Sequence, residues 1–327
     1  MKAIVQDTYG SPDVLRLDEV ARPMPADNEV LVRIHAASVN ARDWHIMRGD
    51  PYIARLMGSA ELGVRAPKVK ITGTDFSGTV DGLGKAVTRF RTGDEVFGEV
   101  QGAFAEYVSA PDDRVDLKPA NLTFEQAAAM PTAANTALIL LEAAHLRPGQ
   151  HVLINGASGG VGTFAVQIAK SLGADVTAVV STRNVELVGT LGADRAIDYT
   201  RENFAQNGHR YDVVLDLVGN RSLSDLRRAA TPTGTLVLSG GGVFHGGSFI
   251  GPMGLFIKGM LMSRFMSQQL LEPQAVPSKE NLAKLRELAE SGKVTPIIDR
   301  TYPLSEVSEA IRYVETEHAR AKVVVKV

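Results

Sequence analysis

The sequence predicts an α/β protein in which a doubly wound parallel sheet is inserted into a β-rich domain. In the first 120 residues, short β-like runs alternate with glycine-containing turns, whereas strands and helices alternate from residue 151 onward. Such alternation is typical of parallel strands joined by helical crossovers. We therefore expect residues 1–122 and 276–327 to form one domain and residues 123–275 to form the other.

Composition and charge narrow the classes of partner. A formal net charge of -2 over 327 residues gives no electrostatic reason to expect nucleic acid or an anionic membrane. The chain has no cysteine, which excludes disulfides, thiolate nucleophiles and cysteine zinc sites. Because the first residues contain no apolar signal segment, we expect a cytoplasmic protein.

One apolar segment, residues 249–265, raises the question of a membrane. It is shorter than the roughly 20 apolar residues that a membrane-spanning helix needs, and Gly251, Pro252 and Lys258 interrupt it. We therefore expect no integral membrane association. An apolar helix that lines a pocket or a subunit contact is the preferred interpretation, with Phe249 in the substrate pocket, and a membrane-surface anchor is the alternative.

The pattern of apolar residues predicts individual elements along the chain. In the β-rich part, strands are expected at 31–34, 78–80 and 94–97, followed by an alanine-rich helix over 123–146. In the remainder, helices are expected at 163–172, 185–191, 278–290 and 305–315, and strands at 175–180, 195–198, 211–215, 235–238, 294–298 and 322–327.

The most informative stretch is HVLINGASGGVG, residues 151–162, in which an apolar strand leads into a glycine-rich turn and then a helix. In this context glycines let the backbone approach a pyrophosphate, and the N-terminus of the helix offers it unpaired N–H groups. The glycines span seven residues, whereas the usual dinucleotide fingerprint spans six. We predict that the pyrophosphate binds at Gly159, Gly160, Val161 and Gly162, and that Ser158 also contacts the cofactor.

The end of the second strand indicates which dinucleotide binds. An acid at this place accepts a hydrogen bond from the ribose 2′-OH of NAD, whereas basic and hydroxyl groups suit the 2′-phosphate of NADP. Residues 180–184 contain no acid but include Ser181 and Arg183. We predict NADP, bound by these two side chains. The alternative, that Ser181–Asn184 only caps the next helix, is compatible with this role.

Several further motifs extend over the whole chain: AASVNARDW at 36–44, GTDFSG at 73–78, FRTGDEV at 90–96, AAAMP at 127–131, LGAD at 191–194 and AKVV at 321–324. With them, the chain resembles the zinc-independent quinone oxidoreductase and enone reductase branch of the medium-chain dehydrogenase/reductase superfamily. Residues around Trp44 and at 290–299 most resemble the group of the chloroplast-envelope quinone oxidoreductase homologue and the reticulon-4-interacting protein. The resemblance implies a Rossmann sheet inserted in a GroES-like domain, NADPH as cofactor and a homodimer.

Zinc enzymes of this superfamily carry a Cys-His pair where this chain has Asn40-Ala41, and Gly-His-Glu where it has Gly73-Thr74-Asp75. We therefore expect no metal. Without a Lewis acid to stabilise an alkoxide, reduction of a quinone or of the C=C bond of an α,β-unsaturated carbonyl fits better than alcohol oxidation. The expected partner is a small apolar carbonyl compound or quinone, reduced by hydride transfer from the cofactor.

The resemblance also implies further residues near the cofactor. Asn40 and Thr136 are expected on the nicotinamide side, and Tyr199 beside the 2′-phosphate. The others that the resemblance places along the cofactor are Leu217, Val218, Gly219, Ser239, Gly240 and Lys322. For Lys322 a solvated position on an edge strand is an equal alternative.

The catalytic groups are hypotheses centred on Asn40. Its amide could donate a hydrogen bond to the substrate carbonyl, although a turn-forming asparagine is an equal alternative. Asp43, His45 and Tyr52 are the candidate proton donors, with solvent as an alternative source and helix capping as an alternative role for Asp43. Trp44 is a candidate wall of the substrate pocket, or an ordinary core residue.

Two other functions compete with the reductase hypothesis. An enoyl-thioester reductase would need a basic groove for a phosphorylated carrier, and four arginines lie close to Asn40 in sequence: Arg42, Arg48, Arg55 and Arg65. A protein that binds NADPH without turnover is the second alternative, because fold alone does not establish catalysis.

Overall fold

The structure is a computed structural model that describes residues 1–57, 61–240, 247–249, 251, 254, 259, 266–316 and 319–327. The described residues divide into two compact units. The first contains residues 1–135, 247–249 and 276–327, and the second contains residues 136–240 and the described part of 251–275. Residues 123–135, which the sequence analysis assigns to the nucleotide-binding part, thus lie in the first unit.

The described strands are β1 Lys2–Val5, β2 Arg16–Glu19, β3 Glu29–Val39, β4 Asp75–Leu83, β5 Glu95–Glu99, β6 Tyr107–Pro111, β7 Val115–Leu117, β8 His151–Asn155, β9 Asp175–Val180, β10 Arg195–Asp198, β11 Tyr211–Asp216, β12 Ala230–Leu238, β13 Gln269–Leu271, β14 Ile298–Pro303 and β15 Lys322–Lys326. The described α-helices are α1 Ala41–Arg48, α2 Phe124–Ala128, α3 Pro131–Ala143, α4 Gly160–Ser171, α5 Val185–Thr190, α6 Leu223–Ala229, α7 Lys279–Glu290 and α8 Val307–Thr316.

The first unit is built around a seven-stranded sheet. Its strand order is β14-β15-β3-β4-β5-β7, with β6 also paired to β3. Strand β15 lies antiparallel to β3, with Val323 opposite Val39, so two strands that are far apart in the sequence are neighbours in the sheet. The buried apolar cluster of this unit includes Val32, Phe76 and Ile311. This pairing brings Lys322 next to the residues that precede α1.

The second unit contains a six-stranded sheet in the order β10-β9-β8-β11-β12-β13, and every pairing in it is parallel. This is the strand order of a dinucleotide-binding doubly wound sheet, in which the order of the strands along the sheet reverses between β8 and β11. Apolar side chains such as Leu153, Phe204 and Val214 form its buried core. The predicted α/β fold class, a Rossmann sheet combined with a β-rich domain, is confirmed.

Several boundaries differ from the expectation. The helix predicted over 123–146 is two helices, because Thr123 caps α2 with Gln126 and Pro131 begins α3 at a position where its missing N–H is tolerated. The strand predicted at 294–298 begins only at Ile298, because the Val294 N–H donates to Leu288 O at the end of α7. Helix α4 begins at Gly160, three residues before the predicted start.

In the segment 249–265, only Phe249, Gly251, Gly254 and Gly259 lie within the described residues, so the predicted apolar helix falls largely outside them. None of the helices in the described part of the chain combines the length and the apolar character needed to cross a membrane.

Candidate cofactor-binding and active site

The glycine-rich turn lies at the carboxyl end of the parallel sheet in the second unit. Strand β8 ends at Asn155, Gly159 occupies the N-cap position, and α4 begins at Gly160. The first N–H groups of a helix have no acceptor within it and lie at the positive end of its dipole. The four residues predicted to line the pyrophosphate, 159–162, and Ser158 all lie in this turn or in the first turn of α4.

The glycines of the turn are not equivalent. Gly156 has φ +88°, and a Cβ there would lie 2.6 Å from Val218 Cγ2; a Cβ on Gly162 would lie 2.2 Å from Gly156 O. These two glycines are therefore required by the fold itself. Gly159 has an ordinary φ of -79°, and the one contact of an added Cβ with described atoms would be Gly156 O at 3.4 Å. Its missing side chain leaves open space above the turn, as a bound pyrophosphate requires.

The segment that follows β11 is held against this turn by a buried carboxylate. Asp216 Oδ1 accepts hydrogen bonds from Asn155 Nδ2 at 2.8 Å and from the backbone N–H groups of Val218 at 3.2 Å and Gly219 at 3.1 Å. Asp216 thus fixes Val218 and Gly219, and the Leu217 N–H donates to Asn155 O at 3.1 Å. All three are residues that the resemblance places along the cofactor. Neither Asp216 nor Asn155 was predicted as a site residue, although both are polar residues that end apolar strands.

The end of β12 lies beside the same loop. The Ser239 N–H donates to Asp216 O at 3.0 Å, and a Cβ on Gly240 would lie 2.3 Å from Gly219 N. Ser239 and Gly240 therefore lie next to the segment 217–219, as their predicted role along the cofactor requires. In this unit the structure brings together the predicted residues of the β8, β11 and β12 ends.

The residues predicted to bind the 2′-phosphate gather where β9 ends. Ser181 is at the N-cap position of a short 3-10 helix, Thr182–Asn184, without a capping hydrogen bond from its side chain. The Tyr199 N–H donates to Val180 O at 3.0 Å. Arg183 and Tyr199 are both exposed there. Asn184 Nδ2 donates to Ser158 Oγ at 3.0 Å and to Ser181 Oγ at 3.2 Å, which joins this end of β9 to the glycine turn.

One acid lies close to this group, and it was not predicted as a site residue. Asp198 ends β10, beside Val180, and its carboxylate accepts from Thr182 Oγ1 at 2.6 Å and from Thr200 N and Oγ1. The hydrogen bond from Thr182 lowers the pKa of Asp198 below its ordinary value. The carboxylate is thus engaged with neighbouring hydroxyl groups, and its position in the sequence directly before Tyr199 could have revealed it.

In the first unit, Asn40 is held by a buried lysine. Lys322 is 2% exposed; its Nζ donates to Asn40 Oδ1 at 2.5 Å and to Val39 O at 3.1 Å. Burial lowers the pKa of Lys322, and the carboxylates of Asp75 and Asp43 oppose this shift. The alternative of a solvated lysine on an edge strand is therefore wrong, because β15 pairs with both β14 and β3.

Asp75 supplies the negative charge beside Lys322. Its Oδ2 lies 3.6 Å from Lys322 Nζ and accepts from Ser38 Oγ at 3.1 Å, and its Oδ1 accepts from the backbone and hydroxyl groups of Thr132. Asp75 is fully buried, with 0% exposure. A buried carboxylate of this kind is stable only when it is paired and hydrogen-bonded, and both conditions hold here.

Asp43 lies on the other side of Asn40. One of its oxygens accepts from the Asn40 N–H at 2.7 Å, and the other accepts from Thr74 Oγ1 at 3.4 Å; Thr74 Oγ1 in turn accepts from Asn40 Nδ2 at 3.4 Å. Burial, reinforced by the charge of Asp75, raises the pKa of Asp43 to about 7. The capping role of Asp43 is therefore present, and the same carboxyl titrates near neutral pH.

Glu99, at the end of β5, completes this group of buried acids. Burial, followed by repulsion from Asp75, raises its pKa to about 7, and Arg42 Nη1 lies 3.9 Å away. Neither Asp75 nor Glu99 was predicted as a site residue from the sequence. They come from separate strands, so only the pairing of β4 with β5 brings them together.

The remaining predicted residues lie elsewhere in their units. His45 Nδ1 lies 2.8 Å from Asp50 O, and its ring stacks on Trp44, which is a buried core residue. Tyr52 begins a 3-10 helix beyond the C-terminal end of α1. Phe249 is exposed and accepts from the Ile53 N–H. Thr136 lies in α3, at the first residue of the second unit.

Among the described residues, no group of three or more histidine, aspartate and glutamate side chains is arranged to hold a metal ion. The positions that carry cysteine and histidine ligands in zinc enzymes of the superfamily are instead linked to each other, Asn40 Nδ2 to Thr74 Oγ1.

Comparison with known proteins relates these features to a family. Residues 26–120 match the alcohol dehydrogenase GroES-like domain family, and residues 191–325 match the zinc-binding dehydrogenase family. The chain is 35% identical over 340 residues to 2-methylene-furan-3-one reductase of Solanum lycopersicum, covering 99% of this chain and 79% of that protein. It is 33% identical over 340 residues to the chloroplastic NADPH-dependent alkenal/one oxidoreductase of Arabidopsis thaliana, with the same coverage of both chains.

Solved structures agree with these relatives. The quinone oxidoreductase from Coxiella burnetii superposes with a TM-score of 0.85 at 32% identity, covering 100% of this chain and 99% of that one. The two sheets, the glycine turn and the relatives together confirm the resemblance predicted from the motifs. The chain therefore belongs to the quinone and enone oxidoreductase branch of the medium-chain dehydrogenase/reductase superfamily.

Proposed function

We propose that this protein is an NADPH-dependent, zinc-independent reductase of quinones or of the C=C bond of α,β-unsaturated carbonyls. The observation that carries the proposal is the position of the Asn40 amide. Asn40 stands where the zinc enzymes have a metal ligand, and its Oδ1 accepts from Lys322 Nζ at 2.5 Å. An amide donor can stabilise charge on a carbonyl oxygen but does not replace zinc as a Lewis acid. The activities named for the relatives from Solanum, Arabidopsis and Coxiella support the same chemistry.

The second unit fits the proposed cofactor. The open space at Gly159, the first N–H groups of α4 and the loop held by Asp216 would receive the pyrophosphate and adenosine parts. Ser181, Arg183 and Tyr199 would hold the 2′-phosphate, because Asp198, the acid beside them, already accepts from Thr182 and Thr200. When bound, NADPH supplies a hydride to the substrate.

In the first unit, the chain's own residues would orient the substrate and stabilise developing charge. Asn40 Oδ1 accepts from Lys322, and one N–H of Asn40 Nδ2 donates to Thr74 Oγ1, so the second N–H of Nδ2 is the group proposed to donate to a substrate carbonyl. Such a donor is most effective when it is positioned before the reaction, because no reorganisation is then needed as charge develops. Lys322 is thus proposed as a positioning residue for Asn40.

We propose that solvent delivers the proton that completes the reduction. Both oxygens of Asp43 are hydrogen-bonded within the protein, to Asn40 N and Thr74 Oγ1. His45 Nδ1 faces the Asp50 carbonyl, and Tyr52 lies beyond the opposite end of α1. If this is correct, Asp43→Asn, His45→Ala and Tyr52→Phe each keep at least about a tenth of the parent kcat, since loss of a general acid costs about 10²–10⁴-fold.

The experiment that tests the function follows NADPH absorbance with a panel of substrates. We expect consumption with a quinone and with a conjugated enone, and none with the corresponding saturated ketone or with a primary alcohol and NADP⁺. Faster turnover of a crotonyl thioester than of a simple enone would favour the enoyl-thioester alternative. Binding of NADPH in calorimetry without consumption in the whole panel would favour a non-catalytic protein and contradict the proposal.

We also propose that the protein is a homodimer that pairs along β13, Gln269–Leu271. This strand is at one edge of the parallel sheet in the described part of the chain, so its outer backbone groups are available to a second copy. Light scattering after size-exclusion chromatography tests the assembly: a mass near 35.0 kDa, that of one chain, would contradict it. The cytoplasmic location stays a prediction.

A further inference from the structure

A cavity in the first unit lies at the end of α1 opposite to Asn40. Its volume is about 420 Å³, and three arginines, Arg48, Arg55 and Arg65, line it together with Asp50 and the rings of Tyr9 and Tyr52. The proposed reaction assigns no role to any of these groups. Tyr52 is a candidate proton donor from the sequence, but solvent is the proposed source of the proton.

Arg55 is held rigidly at this cavity. Its Nε donates to Gly49 O at 2.7 Å and its Nη2 to Arg48 O at 2.8 Å, at the C-terminal end of α1. The guanidinium lies 4.2 Å from the centre of the Tyr9 ring and 4.7 Å from that of Tyr52. These contacts use two of its five N–H donors and leave the others for a ligand. A guanidinium that is fixed in this way binds carboxylates and phosphates with little loss of conformational entropy.

The charges at the cavity do not cancel. Arg48 forms a two-point ion pair with the buried Glu315, so its charge is neutralised. Asp50 faces the cavity, and one of its oxygens accepts from the Ser248 N–H. Arg55 and Arg65 have no carboxylate partner within ion-pair distance among the described residues. The cavity therefore has two positive charges, from Arg55 and Arg65, and one carboxylate, from Asp50. This excess of positive charge favours an anionic ligand.

The distance to Asn40 suggests how the ligand is attached. Helix α1 has eight residues, which at about 1.5 Å per residue separate its ends by roughly 12 Å. We propose that the cavity binds a carboxylate or phosphate carried by the substrate, whose conjugated carbonyl is bound at Asn40. This inference rests on the proposed reductase function. The substrate class is then a long-chain enone with a terminal acidic group, and the tyrosine rings provide an apolar wall for its carbon chain.

The test compares one long-chain enone as its terminal carboxylic acid and as its methyl ester, which share the reacting group. For the parent protein we expect a KM at least tenfold lower for the acid. Arg65→Gln and Arg55→Gln should raise the KM for the acid about tenfold and leave kcat and the kinetics of the ester unchanged. Arg91→Gln, which alters an exposed arginine outside the cavity, is the matched control and should change neither substrate. Equal KM values for acid and ester in the parent would overturn the proposal.

Two further measurements separate the possible failures. Inorganic phosphate should raise the KM for the acid and leave the kinetics of the ester unchanged. If phosphate instead changes the turnover of the ester and does not compete with the acid, the cavity binds a free anion and the proposal is wrong. If no enone is reduced at all, the proposed function fails, but calorimetry of the saturated acid still tests the cavity. Binding that is weakened by Arg65→Gln and not by Arg91→Gln supports the anion site, and binding that both variants leave unchanged contradicts it.

Discussion

At the scale of single residues, the pair Lys322 and Asn40 connects the energetics of the fold to the proposed chemistry. A buried ammonium group is costly unless it is paired and hydrogen-bonded. Here the Asp75 carboxylate balances the charge of Lys322, and Val39 O and Asn40 Oδ1 accept hydrogen bonds from Lys322 Nζ. The same contacts that make the lysine tolerable also fix the Asn40 amide. Stability and amide orientation can therefore be separated only by variants that alter the charges in pairs.

Lys322→Met alone should lower the free energy of unfolding by about 3–5 kcal/mol, because it leaves the Asp75 carboxylate buried and unpaired. The double variant Lys322→Met/Asp75→Asn removes both charges and should recover most of this loss. If Lys322 positions Asn40, kcat stays at least about tenfold reduced in both variants, whereas Asn40→Ala loses about 10²–10³-fold. Urea unfolding and steady-state kinetics measure the two effects. A double variant with parental kcat would show that Lys322 is only structural.

A second prediction concerns cofactor choice. Arg183→Ala should raise the KM for NADPH about 10–100-fold and leave the KM for NADH within about twofold, because a charged hydrogen bond to a phosphate contributes about 1.5–3 kcal/mol. Arg201→Ala, on the exposed turn after β10, serves as control. Equal effects on both cofactors would place Arg183 away from the 2′-phosphate.

At the scale of elements, the turn between β8 and α4 contains glycines with different physical roles. Gly162→Ala should destabilise the second unit, because its Cβ would lie 2.2 Å from the backbone oxygen of Gly156. Gly159→Ala has an allowed backbone conformation and one contact, at 3.4 Å. We expect Gly159→Ala to unfold within about 1 kcal/mol of the parent but to bind NADPH at least tenfold more weakly. Calorimetry and thermal unfolding check this pair; parental affinity of Gly159→Ala would contradict the assigned pyrophosphate position.

The elements also show what the sequence can and cannot predict. Strands β9 and β10 have the predicted bounds, because short apolar runs between clear turns leave little freedom in register. The glycine turn and the end of β9 were located from local pattern alone. The Asp43, Asp75, Glu99 and Lys322 cluster was not, because it depends on the pairing of β15 with β3 and of β4 with β5, contacts between residues far apart in the chain.

At the scale of the whole molecule, the buried acids make stability depend on pH. The pKa of Asp43 is about 7 in the folded protein against 3.8 for a free side chain, so the folded state binds more protons than the unfolded state between these values. Stability should therefore fall as pH rises from about 4 to about 7, at up to about 1.4 kcal/mol per pH unit for each such group. Glu99, whose pKa is also raised to about 7, acts in the same direction.

Asp43→Asn cannot titrate, and it keeps an oxygen that can accept from the Asn40 N–H. Between pH 5 and pH 8, we expect the parent to lose about 1–3 kcal/mol more unfolding free energy than this variant. Urea unfolding at both pH values measures the difference, with Asp113→Asn, an exposed residue, as control. Parallel pH profiles for the parent and Asp43→Asn would contradict the raised pKa.

The position of β15 between β14 and β3 has a consequence for how the protein is made. During synthesis, β3 and β4 leave the ribosome long before β15, and the whole second unit is translated in between. The Rossmann sheet can therefore fold first, since domains generally fold as units during synthesis. Until Lys322 has been translated, the carboxyl groups of Asp43 and Asp75 lack the ammonium group that balances their charge. The group around Asn40 would therefore be completed only after Lys322 has been translated, when the whole second unit has already been made.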